Sequence, residues 1–455
     1  MTDNAISNAA GQRGFSRRSF IKGAAVLGAA GALTGCSAGN EGLEPAADAS
    51  KAGQEQIFSG ACRSQCVQGC YLNVHVRDGQ IVRTTAGDIA EERRYNRICP
   101  KGLSHPARVY SAERLKYPMR RVGERGEGKF ERITWDEAIQ EITDKWKGYR
   151  EEFGPESIAF FLGSGNTGLL GGGTADGSVF QHLQTVMGAC SVLPDRDIAF
   201  QDRMTKMFGP GSAMSDPAQW AKAKHVVIWG TNPTVSCKQM IRFYLDAKEA
   251  GAKLTCIDIQ YNTNASKSDW FLPVHPGTDG AMALGILREV FDNGWQDTEF
   301  VRAHTDAPLL VKEDNTFLRR SDLGIAPEEG PVNPRTGKPT VIDPEIVWDE
   351  ETQSAVPAPQ AAKPALEGVP EEVEGFKVRT VYSMLVDRIN EWTVEKASEI
   401  SGVSVEDIKT LARMYGQEGP VTTCMNQGLN HYFNGIYTYE CIFALMLLTG
   451  NFGKE

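Results

Sequence analysis

Four of the ten cysteines fall in one short stretch, as Cys62-x3-Cys66-x3-Cys70 and then, after 28 intervening residues, Cys99-Pro100-Lys101-Gly102. Three close thiolates on one loop plus a distant fourth followed by proline is how a chain wraps a cubane, because each thiolate has to reach a different iron. The spacing therefore predicts a 4Fe-4S cluster held by Cys62, Cys66, Cys70 and Cys99. Structural zinc is the alternative, but it is usually held by two ligand pairs with two to four residues inside each pair, and this pattern is three plus one. Lys101 lies two residues past the last ligand, so its ammonium is placed to reach from the cluster toward whatever lies beneath; a solvated surface lysine is the plain alternative.

These cysteines need a frame. Between the third and the fourth, Leu72, Val74 and Val76 alternate with polar residues, Asp78-Gly79 supplies a tight turn, and Ile81-Val82 begins a return strand. This is a β-hairpin pattern, and it predicts a small strand-rich cluster domain over 57–118. Beyond it, Thr134-Trp135-Asp136-Glu137 is a capping box that opens a helix with Ala138, Ile139, Ile142 and Trp146 on one side. A short strand, Ile158 to Leu162, runs into Gly163-Ser164-Gly165-Asn166, with Gly171-Gly172-Gly173 just beyond. Such glycines suit a phosphate or a plain loop, and the dinucleotide G-x-G-x-x-G is not met.

A clearer unit follows. His225 to Trp229 reads as a buried strand, Gly230-Thr231-Asn232-Pro233 as the turn at its carboxyl end, Gln239 to Ala250 as a helix, and Leu254 to Ile259 as the next strand, carrying Asp258. An acid at the end of the second strand of a βαβ unit commonly binds ribose hydroxyls; capping a turn is the alternative for Asp258. Pro276-Gly277-Thr278-Asp279-Gly280 then leads into an apolar helix, Ala281 to Phe291, a loop suited to a phosphate or a base edge. Residues 320–375 are rich in Pro and Glu with little periodicity, which predicts an insertion carrying strands near Val341-Ile342 and Ile346-Val347-Trp348. Helical periodicity returns from about 378. The fold class expected is α/β, with a strand-rich iron–sulfur domain ahead of Rossmann-like units: 119–455 forms the body and 220–295 its nucleotide unit.

The chain has 455 residues, 48 basic against 58 acidic, a net charge of −10, and 41% hydrophobic residues. That share supplies real cores, and the acidic balance offers no basic field for nucleic acid. Ser16-Arg17-Arg18-Ser19-Phe20-Ile21-Lys22, followed by a Gly- and Ala-rich apolar run to Gly35, is the pattern of a twin-arginine export signal. The run is shorter than the ~18 to 20 apolar residues of a spanning helix. It closes with Leu33-Thr34-Gly35-Cys36, like a bacterial lipobox, so residues 1–36 are expected to be the signal, with Cys36 lipidated or discarded, and 37–56 a flexible tether. Folding before export, in a reducing cytoplasm, argues against disulfides among the four cysteines.

Taken in chain order, the cluster motif, Lys101, the Trp229-Gly230-Thr231-Asn232-Pro233 turn, Asp258, the Pro276-to-Asp279 loop and the Leu448-Thr449-Gly450-Asn451 stretch resemble the molybdopterin oxidoreductases of the dimethyl sulfoxide reductase family. The resemblance runs from about 57 to the end. It implies one 4Fe-4S cluster and a bis(molybdopterin guanine dinucleotide) cofactor carrying molybdenum or tungsten. By the same resemblance Lys101 lies on the electron path between cluster and pterin, while Trp229, Gly230, Asn232, Asp258, Gly277, Thr278 and Asp279 line the nucleotide portions. One protein side chain usually ligates the metal; counting back from Phe208-Gly209 places it at Asp197, with Asp195 and then Cys190 as alternatives. A carboxylate is a reasonable hard ligand for oxidised molybdenum.

Two departures are visible. The first cluster spacing has three intervening residues where many members have two, and members of the family continue past this point into a C-terminal β-barrel domain, whereas this chain stops at Glu455. The expectation is a truncated product or one part of a split gene. The function expected is that of an exported catalytic chain that takes electrons from a ferredoxin-like iron–sulfur subunit, beside a membrane anchor subunit, and reduces a small acceptor by S-oxide or N-oxide reduction or reductive dehydroxylation of a catechol-like substrate. The alternative is an iron–sulfur electron-transfer or assembly module without its own active site.

Overall fold

The computed structural model describes residues 53–62, 66, 69–161, 179–192, 199–209, 215–334 and 336–453. The chain divides into Met1–Glu55, of which only residues 53–55 are described, and Gln56–Glu455. The signal, the lipobox and nearly all of the tether therefore lie outside the described residues.

The second unit opens with a three-stranded antiparallel sheet, β1 (Gln56–Ala61), β2 (Tyr71–Arg77) and β3 (Gln80–Ala86), in that order. Asp78 and Gly79 both take positive φ, 50° and 77°, which makes the two-residue turn whose twist suits a hairpin. The alternation read from Leu72, Val74 and Val76 does not carry through. A bulge between His75 and Val76 shifts the register against β3, and His75, sharing a hydrogen bond with Thr85 Oγ1 at 2.9 Å, is the buried residue at that end. Two short helices follow, α1 (Pro100–Leu103) and α2 (His105–Val109), with Cys99 as the N-cap residue of α1. The buried Thr84 hydroxyl donates to the Gly102 carbonyl at 2.6 Å and pins α1 to β3.

This lobe is bolted to the body by three polar side chains and one aromatic contact. Arg94 donates to the Ala218 carbonyl, Tyr95 OH to Asp216, and Arg97 pairs with Asp246 at 2.5 Å. Tyr95 also lies 5.0 Å from the buried Phe243 ring.

A hairpin, β4 (Met119–Arg121) with β5 (Phe130–Arg132), leads to α3 (Trp135–Phe153), whose capping box forms as the sequence predicts. Ile139 and Ile142 on its apolar side are exposed among the described residues, and Trp146 meets Phe160 edge-on at 5.9 Å. β6 (Ala159–Phe161) and β7 (Cys190–Val192) pair in parallel, with α4 (Val179–Met187) between them, and α5 (Ala199–Phe208) comes next.

The main sheet is built from β8 (His225–Trp229), β9 (Lys253–Asp258), β10 (Trp270–Pro273) and, after a long excursion, a final strand at Val421–Cys424. Its helices are α6 (Pro233–Ser236), α7 (Met240–Glu249), α8 (Asp279–Asp292) and α9 (Thr298–His304). In the excursion, β11 (Leu310–Lys312) to β17 (Phe376–Thr380) form small antiparallel sheets around Leu310, Leu318, Ile346, Val373 and Val378, before α10 (Val381–Asn390), α11 (Val394–Ser401) and α12 (Val405–Gly416). The small sheets thus spread on both sides of 320–375. The strand Val421–Cys424, β18, then joins β8, and α13 (Gly435–Leu448) closes the described fold.

All pairings in the main sheet are parallel, in the order β10-β9-β8-β18. Alternate residues of β8 serve two cores: Val227 and Trp229 pack with α8, α11, α12 and α13, Val226 and Ile228 with α7. Helices cover both faces, as a parallel sheet requires. The chain leaves β8 toward β9 on one side and returns as β18 on the other, so the strand order reverses at the carboxyl end of β8, the place where such sheets bind ligands. No helix among the described residues is long and apolar enough to cross a membrane.

The tightest helix contact is α8 on α11, where a Cβ on Gly285 would stand 2.3 Å from Ala397 Cβ. Gly→Ala in a solvated helix gains about 1 kcal/mol, but overpacking a core costs about 1–3 kcal/mol. Gly285→Ala is therefore expected to destabilise the protein, read as a lower denaturant midpoint; an unchanged or higher midpoint contradicts this packing.

Candidate cofactor-binding site

The four cysteines of the motif line one cavity, together with Gly69, Lys101, Ser236, Lys238 and Gln239. The Cys62 N–H donates to the Cys70 carbonyl at 2.8 Å and closes the three-cysteine loop, while α1 presents Cys99 from the other side. Burial pushes the Cys70 thiol up to about 11, and the neighbouring Cys62, Cys66 and Cys99 push the same way. None of the nine described cysteines is disulfide-bonded, and no three His, Cys, Asp or Glu side chains among the described residues converge as a single metal ion demands. Thiolates on one zinc all lie about 2.3 Å from it. Four thiols around a shared cavity, without one common point, fit a polynuclear cluster whose irons each take one ligand.

Lys101 stands on this cavity's wall rather than in open solvent. The opposite wall is Ser236, Lys238 and Gln239, which follow the Trp229-to-Pro233 turn. Gln239 is buried and its side-chain amide donates to the Arg97 carbonyl at 3.1 Å, so the same residue that walls the cavity also joins the lobe to the body.

The second feature is the crevice at the carboxyl end of β8. Gly230, at φ +58°, passes so close to Leu429 that a Cβ would come within 2.6 Å of its Cδ2. Gly277, at φ +77°, sits under Tyr432 with 3.1 Å of room for a Cβ, and its carbonyl accepts from Asn434 Nδ2 at 2.9 Å. Thr278 is the N-cap of α8 and donates to the His275 carbonyl at 2.7 Å. The Asn232 side-chain oxygen accepts from Thr234 Oγ1 at 2.7 Å and Asn264 Nδ2 at 3.0 Å, which fixes the turn.

Asp279 is 1% exposed. Its Oδ1 accepts from Trp229 Nε1 at 2.8 Å, while Oδ2 has no partner among the described residues. Burial raises its pKa, against the Trp229 bond that lowers it, and the charge of Asp258 adds to the rise. Asp258, at the end of β9, is raised by burial as well, against bonds from Ile259, Gln260 and Asn262. Its Oδ1 accepts from Ile259 N at 2.7 Å and its Oδ2 from Asn262 Nδ2 at 2.8 Å, so the local cap is formed. Tyr432 is raised by burial and by the charges of Asp279 and Asp258.

Trp229 is fully buried and supports Asp279 from beneath instead of lining the crevice. Gly230, Asn232, Asp258, Gly277, Thr278 and Asp279 gather around the carboxyl end of the sheet. The Cys190 thiol, at the start of β7, donates to the Glu156 carbonyl at 3.4 Å. Asp195, Asp197 and the glycines at 163–173 lie outside the described residues. The loop Asn426 to Asn434 is not part of the sequence reading, although it is another polar, glycine-bearing segment soon after the β-strand Val421–Cys424. It covers the crevice so tightly that a Cβ on Gly428 would meet the Gly230 carbonyl at 1.9 Å, and Tyr439 OH holds it through the Asn426 carbonyl at 2.6 Å.

A four-cysteine lobe in front of a parallel sheet with a carboxylate-floored crevice at its switch point defines an iron–sulfur protein of the nucleotide-cofactor α/β class. Residues 114–455 match the family described as molybdopterin oxidoreductase, 55–111 the molybdopterin oxidoreductase Fe4S4 domain, and 14–34 the twin-arginine translocation pathway signal sequence. The chain belongs to the molybdopterin oxidoreductases, whose cofactors are molybdopterin and a 4Fe-4S cluster, and it carries the signal for export across the cytoplasmic membrane. It is 30% identical to a dimethyl sulfoxide reductase catalytic subunit, so named as putative, of Halobacterium salinarum, over 97% of this chain and 53% of that one. With the perchlorate reductase alpha subunit of Dechloromonas aromatica it shares 30% identity over 87% of this chain and 45% of that one. The acetylene hydratase of Pelobacter acetylenicus has a similar fold, with a TM-score of 0.55 at 19% identity, over 87% of this chain and 44% of that one. The chain spans about half the length of the curated relatives it matches.

The unpaired Asp279 oxygen has a measurable signature. A carboxyl raised in the fold binds its proton more tightly there than in the unfolded chain, so its contribution is most favourable below the ordinary carboxylate range and is lost as pH rises through the raised value. Asp279→Asn keeps the Trp229 acceptor and removes the charge. Without cofactor, the variant is expected to exceed the wild type in stability at pH 7, because it no longer buries a charge, with the gap closing toward pH 3. Urea titrations at both pH values check it, and a pH-independent gap would refute it.

Proposed function

We propose that this chain is the cofactor-bearing part of the catalytic subunit of an exported molybdenum- or tungsten-dependent oxidoreductase, reducing a small acceptor by two electrons delivered through the 4Fe-4S cluster. S-oxide or N-oxide reduction and reductive dehydroxylation of a catechol-like substrate are the reactions in view. The observation that carries the reading is the shared wall: Ser236, Lys238 and Gln239, which follow the Gly230–Pro233 turn, also bound the four-cysteine cavity. Cluster and nucleotide crevice are therefore separated by one turn of chain.

The residues present fit the guanine dinucleotide form of the cofactor. The partnerless Asp279 Oδ2 suits the amino donor of a guanine edge, Gly230 and Gly277 let backbone approach closely, and Asp258 at the β9 terminus suits ribose hydroxyls. When bound, a molybdopterin metal centre supplies two-electron chemistry, commonly oxygen-atom transfer. Around it, Trp229 orients Asp279, the Asn426–Asn434 loop keeps water from the crevice floor, and Lys101 offers a charge between the cluster cavity and the body. Asp197 is proposed as the protein's metal ligand, with Asp195 and Cys190 behind it. Both named reductase relatives are subunits of larger enzymes by name. That is in keeping with an iron–sulfur partner and a membrane anchor here, at the outer face of the membrane, with Cys36 as a lipid attachment point.

Elemental analysis of protein purified without oxygen from a host that makes the cofactor tests this. About four irons with about one molybdenum or tungsten, and guanine nucleotide released by acid, are expected. Four irons alone leave an electron-transfer or assembly module. Lys101→Ala is expected to keep the metals and slow their reduction by the physiological donor; equal rates would remove Lys101 from the path.

A further inference from the structure

One contact to a cysteine of the cluster cavity lies outside the proposed electron path. His105, the first residue of α2, brings Nε2 to 3.3 Å of Cys62 Sγ. The contact is held from both ends: Cys62 is buried and fixed by its backbone bond to Cys70, and α2 follows α1 directly, through Ser104, whose N–H donates to the Pro100 carbonyl at 3.0 Å. The uncharged polar side chains that line the cavity, Ser236 and Gln239, are engaged elsewhere. Ser236 Oγ donates to the Asn232 carbonyl at 2.9 Å and Gln239 to the Arg97 carbonyl. Among the described residues, His105 is the side chain hydrogen-bonded to a cysteine of the motif.

We propose that His105 donates a hydrogen bond to the Cys62 sulfur in the cluster-loaded protein and thereby holds the cluster at a higher reduction potential than it would otherwise have. The inference rests on the cluster reading above. A cysteine that ligates a cluster is a thiolate and carries no proton, so the sulfur only accepts, and the 3.3 Å contact persists as a hydrogen bond through an N–H on Nε2. Hydrogen bonds to ligand sulfurs withdraw charge from the cluster. They stabilise the reduced form, which carries one more electron, beyond the oxidised form, and so raise the potential. Lys101 and Lys238 act in the same direction from the cavity wall by charge alone. His105 is thus a positioning and tuning residue, acting on the electron's resting energy through Cys62.

The test is a potentiometric titration followed by electron paramagnetic resonance on the full chain, purified without oxygen, with iron measured on every sample. His105→Leu removes the donor; His105→Gln keeps an N–H at a similar reach. For His105→Leu the reduced-to-oxidised ratio at fixed potential is expected to fall about tenfold, a lowering of about 59 mV for one electron, with iron content retained and His105→Gln close to wild type. An unchanged midpoint in His105→Leu overturns the proposal, as does an equal shift in both variants, which would mark a packing role. If His105→Leu loses iron, His105→Gln decides: wild-type iron and midpoint support the donor, and loss of iron there too overturns it. Wild-type protein without iron would instead defeat the cluster reading itself.

Discussion

The hydrogen bond from Trp229 Nε1 to Asp279 Oδ1, 2.8 Å long and fully buried, joins an inner strand of the main sheet, β8, to the start of α8. It ties the place where the strand order reverses to the place where α8 begins, so the crevice has a fixed floor. The indole is held by the same core that packs α8 against α11, α12 and α13. Once that core is formed, the carboxylate cannot swing to water. An indole N–H satisfies half of it and leaves Oδ2 buried without a partner among the described residues. Burying a charge half-satisfied is costly; the fold accepts that cost where, on the proposed function, a base edge supplies the missing donor.

The second constraint is the joint between lobe and body. The cluster cavity is completed by Ser236, Lys238 and Gln239, so its geometry depends on how the lobe docks. The docking is specified by groups with directional needs: the Arg94, Tyr95 and Arg97 side chains reach Ala218, Asp216 and Asp246, and Gln239 returns a bond to the Arg97 carbonyl. The Tyr95 ring adds apolar area against Phe243. Polar bonds fix the register and the aromatic contact contributes adhesion, which is how a small lobe with little core of its own is held in one position.

Elements with strong local codes were legible in the sequence. The capping box at Thr134 and Glu137, the Asp78-Gly79 turn, the β8–α7–β9 unit and the start of α8 all appear where periodicity and turn chemistry put them. The motif cysteines line one cavity, since their spacing is itself the code. Less legible was anything set by distant partners. The resemblance places Trp229 with the nucleotide-lining residues, and what the motif does not show is that its indole is buried in the core and donates to Asp279. The Asn426–Asn434 loop was overlooked because its partners, Gly230 and Gly277, lie some two hundred and one hundred and fifty residues earlier, a proximity that only the β18–β8 pairing creates. The His75 bulge is likewise a matter of register with β3, invisible in β2 alone.

Export and the half-satisfied carboxylate meet in one thermodynamic argument. The twin-arginine route carries chains that have already folded in the cytoplasm. A ligand that binds only the folded state stabilises it by RT ln(1 + [L]/Kd), about 2.7 kcal/mol at a hundredfold excess over Kd. On the proposed function the gain is concentrated at Asp279, whose burial opposes ionisation, and at Cys70, where burial and the neighbouring cysteines oppose loss of the proton. Both penalties sit in the folded protein and both are lifted by cofactors assembled in the cytoplasm. The folded population there is thus enriched in loaded chains, and a transporter that selects for folding selects for loading without recognising either cofactor.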